Sequence, residues 1–203
     1  MTVEESIGFM GKSYIQYSHK LFQPDSESEK FDISFSTNNE DGMLIWKSQR
    51  DLVGNGDDLV LLQIKHGKVH LEYELGGGRL SLRISPINKN FLMASGPIEL
   101  TLGQSVTDNL VHKVTISRDK TSINMSLDES FHTSKGITGP LKILNTVGDI
   151  FLGGGGLVDV ATLTGGRASH TFSGCVHSLG VSDTRVDLQR DHLASSNIIN
   201  CQE

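Results

Sequence analysis

Cysteine is scarce in this chain of 203 residues: there are two, Cys175 and Cys201, both near the C-terminal end. A structural zinc site needs four cysteines, or two with two histidines at motif spacing. The first set is absent, and none of the eight histidines sits at the spacing the second requires. Four prolines are too few for a Pro-rich linker, and no internal repeat is visible. No run of four Lys or Arg occurs, and the formal charge is −6, which argues against a nucleic-acid partner and its demand for a basic face. No stretch approaches the roughly 18 apolar residues that insertion into a membrane requires. Gly-x-Ser-x-Gly, His-Glu-x-x-His and any paired Cys and His context are missing, so no nucleophile or catalytic metal is indicated and an enzyme is not expected. The opening Met1-Thr2-Val3-Glu4-Glu5 is acidic and lacks the apolar core of a signal peptide. That leaves a cytosolic chain or one domain of a longer secreted one.

What is present is alternation. Phe31, Ile33 and Phe35 share one face of a strand, as do Val69, Leu71, Tyr73 and Leu75. Leu80, Leu82 and Ile84 repeat the pattern, as do Val114 with Ile116 and the set Ile123, Met125, Leu127. Tyr14 to Tyr17 begins a short strand, and Met43-Leu44-Ile45-Trp46 reads as a buried one. The nearly unbroken apolar run Leu59 to Ile64 predicts a central strand covered on both faces. Ile150-Phe151-Leu152 and Thr171 to Val181 complete the series. Turn signals such as Asp41-Gly42 and His66-Gly67 recur every 8 to 12 residues or so, the spacing of an antiparallel sandwich. The one helical turn expected lies near Leu188 to Leu193. One all-β domain over residues 1–203 accounts for the whole pattern.

By counting alone, Cys175 and Cys201 are either two buried thiols or a disulfide. A bridge closing a loop of roughly 26 residues would stabilise by about 3.5 kcal/mol in the chain-entropy model. It would also tie down a polar, weakly periodic tail, and is the preferred reading.

Taken in order, several segments carry a resemblance. They are Gly11-Lys12-Ser13-Tyr14-Ile15, Phe31-Asp32-Ile33-Ser34-Phe35, Asp41-Gly42-Met43-Leu44-Ile45-Trp46, Asp58 to Ile64 and Gly67-Lys68-Val69-His70-Leu71. Ile150 to Gly154, Phe172-Ser173-Gly174-Cys175-Val176 and the closing Cys201 follow. None is specific alone; their order and spacing resemble the laminin G-like (laminin–neurexin–sex hormone-binding globulin) family over essentially the whole chain. The resemblance implies a two-sheet jelly-roll sandwich of concanavalin-like type, a Cys175–Cys201 disulfide and an extracellular setting. The chain departs from the family at Val111-His112, where Trp-His is common and a core aromatic is expected to be lost. It departs again at Leu127-Asp128-Glu129, where a hairpin is altered.

The same resemblance implies a calcium ion on one rim, held by the Asp58 and Asn145 side chains and the Leu75 and Ile143 carbonyls. Asp57 is a neighbouring carboxylate that would serve as a substitute. Calcium takes six to eight hard oxygen ligands, and a single carboxylate implies weak binding, about 10⁻⁴ to 10⁻³ M. Without the resemblance, Asp58 after Asn55-Gly56-Asp57 is loop chemistry and Asn145 a turn residue. The implied partner is a cell-surface glycoprotein or an acidic glycan of the α-dystroglycan type, with Arg79, Lys142 and Arg167 as candidate contacts. The alternatives are a calcium-bridged protein partner such as a receptor ectodomain, as in the neurexin branch, or an apolar small-ligand carrier, as in the steroid-binding branch.

Other features are weaker. The glycine runs at 76–78 and 153–156 fit no phosphate loop and read as hairpin and rim glycines. Asp25-Ser26-Glu27-Ser28-Glu29 alternates carboxylates like a glycosidase strand, but with no aromatic sugar platform nearby it reads as a solvated loop. His112 and His177 sit in strand patterns and read as structural. Asn124-Met125-Ser126 is an N-glycosylation sequon, with Asn124 pointing away from the Ile123–Met125–Leu127 face.

Overall fold

The computed structural model describes residues 6–21, 27–48, 58–75, 97–138, 142–182 and 184–201. Its strands are β1 Ile7–Tyr17, β2 Glu29–Ser36, β3 Gly42–Ser48, β4 Leu59–Lys65, β5 Lys68–Glu74, β6 Ile98–Ser105 and β7 His112–Arg118. β8 Ser122–Leu127, β9 Phe131–Gly136, β10 Ile150–Leu152, β11 Ser173–Val181, β12 Thr184–Val186 and β13 His192–Asn200 follow. A 3-10 turn, His19–Leu21, and one short helix, α1 Val160–Leu163, interrupt them. Every paired strand is antiparallel to its neighbours, in the order β6-β5-β4-β3-β10-β1-β11-β2-β7-β8-β9, with β12 on β11 and β13 on β1.

The ladder folds over itself as a two-sheet jelly-roll sandwich. Leu44, Leu62, Leu71 and Leu100 from one limb meet Ile33, Phe35, Val114, Ile116 and Met125 from the other in a single core. β2, β6, β7 and β8 alternate, so only one face of each contributes. β3 and β4 do not alternate, because both faces are covered. Their outer side chains Met43, Trp46, Leu59 and Leu61 pack with Phe151 beneath Val160 and Leu163 of α1. This helix has four residues, too few to show a helical period, and its N-terminus is capped by Asp159 Oδ1, which accepts from the Thr162 N–H at 2.9 Å.

Several expectations shift. The segment near Leu188 to Leu193 forms a turn and then the start of β13, not a helical turn. β13 pairs with β1 along most of its length, and Tyr17 Oη donates to the Leu188 carbonyl at 3.0 Å. Cys175 and Cys201 form a disulfide with Cα atoms 6.1 Å apart. It links β11 to the chain just past β13, and both strands flank the start of β1. Val111 is 59% exposed, so the missing aromatic opens no hole in the core. Asp128 and Glu129 both take positive φ, closing a tight β8–β9 turn without glycine. At the β4–β5 turn, His66 and Gly67 also take positive φ, as a two-residue hairpin loop requires. A Cβ on Gly153, at φ 78°, would stand 2.3 Å from the Phe9 ring, so this glycine serves close packing. Gly76 to Gly78 and the Leu80, Leu82, Ile84 set lie outside the described residues.

Candidate functional site at the sandwich rim

The β4–β5 hairpin sets the site. Leu59 pairs with Glu74, and Asp58 and Leu75 extend one step beyond that pair toward the rim. Both are buried, at 3% and 4% exposure. The segment 142–146 runs alongside, anchored by the buried Leu144 and Thr146, while Ile143 and Asn145 are exposed. Its backbone is pinned twice. Arg118 Nη1 donates to the Lys142 carbonyl at 2.7 Å, and the Asn145 N–H donates to Asp58 Oδ2 at 2.5 Å. Asp58 and Asn145, 87 positions apart, are therefore in direct contact.

Burial pushes the Asp58 carboxyl up to about 6. The Asn145 backbone N–H opposes the shift, Glu74 adds to it, and Arg118 opposes it. Among the described residues no Lys or Arg pairs with Asp58. A second carboxylate, Glu29, lies in the same neighbourhood with a different set of partners. Arg118 Nε and Nη2 donate to its two oxygens at 2.5 and 2.6 Å, and Tyr73 Oη donates to Oε2 at 2.7 Å. The Arg118 guanidinium also stands 5.8 Å from the Tyr73 ring centre. Nothing local in the sequence signals this cluster. Glu29 falls in the run read as a solvated loop, yet it opens β2 with its side chain 7% exposed. Glu27 is exposed and pairs with Lys120 at 2.7 Å, while Asp25 and Ser26 lie outside the described residues.

Among the described residues, Asp58, Asn145 and the adjoining backbone offer oxygen ligands: one carboxylate, one amide and carbonyls. No cluster of three His, Cys, Asp or Glu suited to a metal occurs among the described residues. A hard cation content with carbonyls and amides fits this set; a thiolate- or imidazole-seeking metal does not. Asp57 lies outside the described residues.

The candidate glycan contacts separate. Lys142 Nζ donates to the Ile137 carbonyl at 2.6 Å, beside the rim. The Arg167 guanidinium is held by Glu72 at 2.7 Å and Glu74 at 2.8 Å, on the outer face of β5. Arg79 lies outside the described residues. His112 is clamped between Asp108 Oδ1 at 2.9 Å and Asp128 Oδ2 at 2.7 Å. Burial works against its charge, but the two carboxylates outweigh that and its pKa is raised. His177 bridges Ser6 and Ser36 hydroxyls, and burial lowers its pKa.

The sequence profile of the laminin G domain matches residues 35–184. The basement membrane proteoglycan of Caenorhabditis elegans is 30% identical over 204 residues, covering 99% of this chain and 5% of that protein. Pikachurin of Rattus norvegicus is 25% identical over 197 residues, covering 95% of this chain and 17% of that protein. The chain thus spans a small part of these curated relatives. Among solved structures, domains LG4-5 of the mouse laminin alpha1 chain superpose with a TM-score of 0.76 at 16% identity, over 97% of this chain and 46% of that one.

Proposed function

Because the chain belongs to the laminin G domain family, a non-enzymatic recognition fold, we propose that it is an extracellular calcium-assisted recognition module. Its rim at Asp58, Leu75, Ile143 and Asn145 would hold the ion and present it to a cell-surface glycoprotein or acidic glycan of the α-dystroglycan type. The observation that carries this reading is the contact between Asp58 and Asn145. Through the Asn145 backbone N–H it brings a buried carboxylate with no Lys or Arg pair among the described residues beside a residue whose side chain is exposed. Kinship with matrix proteins and the disulfide support the extracellular setting. Four protein oxygens leave two or more calcium positions for water or for oxygens of a partner, and one carboxylate keeps the affinity weak, about 10⁻⁴ to 10⁻³ M. Of the two described candidates, Lys142 is held by one carbonyl and keeps its charge unmatched by a carboxylate among the described residues, whereas Arg167 is engaged by two glutamates.

Calorimetric titration of calcium into the intact chain, beside Asp58→Ala and Asn145→Ala, tests the rim. Millimolar or tighter binding that both variants lose is expected; no binding to the intact chain overturns it. Glycan arrays and receptor ectodomains, each with and without calcium, then test the partner. Calcium-dependent capture of ectodomains stripped of glycans, with no glycan binding, would replace the glycan reading by a protein-bridging one.

A further inference from the structure

The register of β7, β8 and β9 places polar residues in rows on the sheet's outer face. Thr115 pairs with Ser126 and Ser126 with His132; Ser117 pairs with Asn124 and Asn124 with Ser134. The inner face carries Ile116, Ile123, Met125 and Leu127, all buried. These six polar residues line an open trough of about 410 Å³. Its volume lies in the roughly 300–1,000 Å³ range of small-molecule sites, but those are mostly apolar. Hydroxyls, an amide and an imidazole instead suit a polyhydroxylated occupant. Asn124 sits in the middle, exposed, with small serines on both sides, so no bulky neighbour blocks its amide. The one side-chain hydrogen bond it makes among the described residues is a long one, from Nδ2 to Ser122 Oγ at 3.3 Å. The residue two positions on is Ser126, on the same face, so the sequon and the trough coincide.

We propose that Asn124 carries an N-linked glycan whose first sugars lie in the trough between Ser117, Ser134, Thr115 and His132. The covalent step transfers an oligosaccharide from a polyprenyl diphosphate donor. The anomeric carbon forms a bond to Asn124 Nδ2, the amide gives up a proton, and the lipid diphosphate leaves. The glycan then covers the outer face of β7–β9 and leaves partner binding to other surfaces. This inference rests on the extracellular reading, since attachment occurs in the secretory route. It does not rest on calcium.

The test is secretion of the chain behind a heterologous leader from a eukaryotic host, followed by intact mass before and after amidase release of N-glycans. One glycan is expected on the wild type and on Ser126→Thr, and none on Asn124→Gln or Ser126→Ala. Diethylpyrocarbonate labelling then reads the seating. His132 should react about tenfold more slowly in the glycosylated chain than in Asn124→Gln, the factor that roughly 1.4 kcal/mol of docking represents. His170, exposed elsewhere, is the internal reference and should not change. A secreted, disulfide-bonded wild type without a glycan overturns the proposal while leaving the recognition reading intact. Equal His132 labelling in both forms overturns the seating. A wild type that binds no calcium but carries the glycan would sink the calcium rim alone.

Discussion

Two buried carboxylates near the same end of the sandwich make the sharpest contrast in this molecule. Glu29 receives three side-chain hydrogen bonds, two from Arg118 and one from Tyr73. Asp58 accepts the Asn145 N–H and has no Lys or Arg partner among the described residues. Both are almost fully excluded from water, so the difference is one of compensation and not of burial. A buried charge whose partners are complete is structural. One with no paired cation among the described residues, as at Asp58, is costly unless something else offsets it, and that is the property a cation site needs. The pair Arg167 and Glu74 repeats the lesson: a cation named from sequence as a partner contact is already matched within the fold.

The largest break in this contrast should come from Arg118→Met, which leaves Glu29 buried with the Tyr73 hydroxyl but without its cation. We expect a loss of about 3–5 kcal/mol in urea unfolding, partly recovered by adding Glu29→Leu. Asp58→Asn should behave differently, staying within about 1 kcal/mol of wild type without calcium because its amide oxygen still accepts the Asn145 N–H. Next in size is the effect of the ion itself. If calcium binds at 10⁻⁴ to 10⁻³ M, 10 mM should raise wild-type stability by about 1.4–2.7 kcal/mol, and Asp58→Asn should show no gain.

The smallest effect concerns a third compensated group, His112 between Asp108 and Asp128. Its raised pKa in the fold means the charged form is favoured there. The stabilisation is therefore fully present below the unfolded value, about 6.5, and is lost as pH rises through the folded one. Unfolding from pH 5 to 9 should show this decline in wild type, and His112→Gln should flatten it. A steeper decline in the variant would contradict the clamp.

Legibility followed burial. Strands whose one face meets the core, such as β2, β5, β7 and β8, carry clean alternation and were readable, whereas β6 was not singled out although Ile98, Leu100 and Leu102 alternate inward. β9 is an exposed edge strand and β13 a half-buried one. Neither faces enough core to impose a pattern, and both are held through backbone pairing to a neighbour. α1 has one job, to cover Trp46 and Leu61, and four residues suffice. At the rim, Asp58 and Asn145 were readable only through their order within a known family. Val111 shows the limit of that transfer, since the expected core position is at the surface.

By itself the sequence determined the all-β class, the inward faces of the principal strands, the absence of zinc and membrane-helix signatures, and the family. These rest on local periodicity, composition and ordered landmarks, which survive without coordinates. Only the tertiary structure decided which charges are satisfied. Glu29 meets Arg118 across 89 positions, Arg167 meets Glu74 across 93, and Asp58 meets Asn145 across 87. Hydrogen bonds and ion pairs depend on distance in space, and strand pairing sets that distance between segments far apart in the chain.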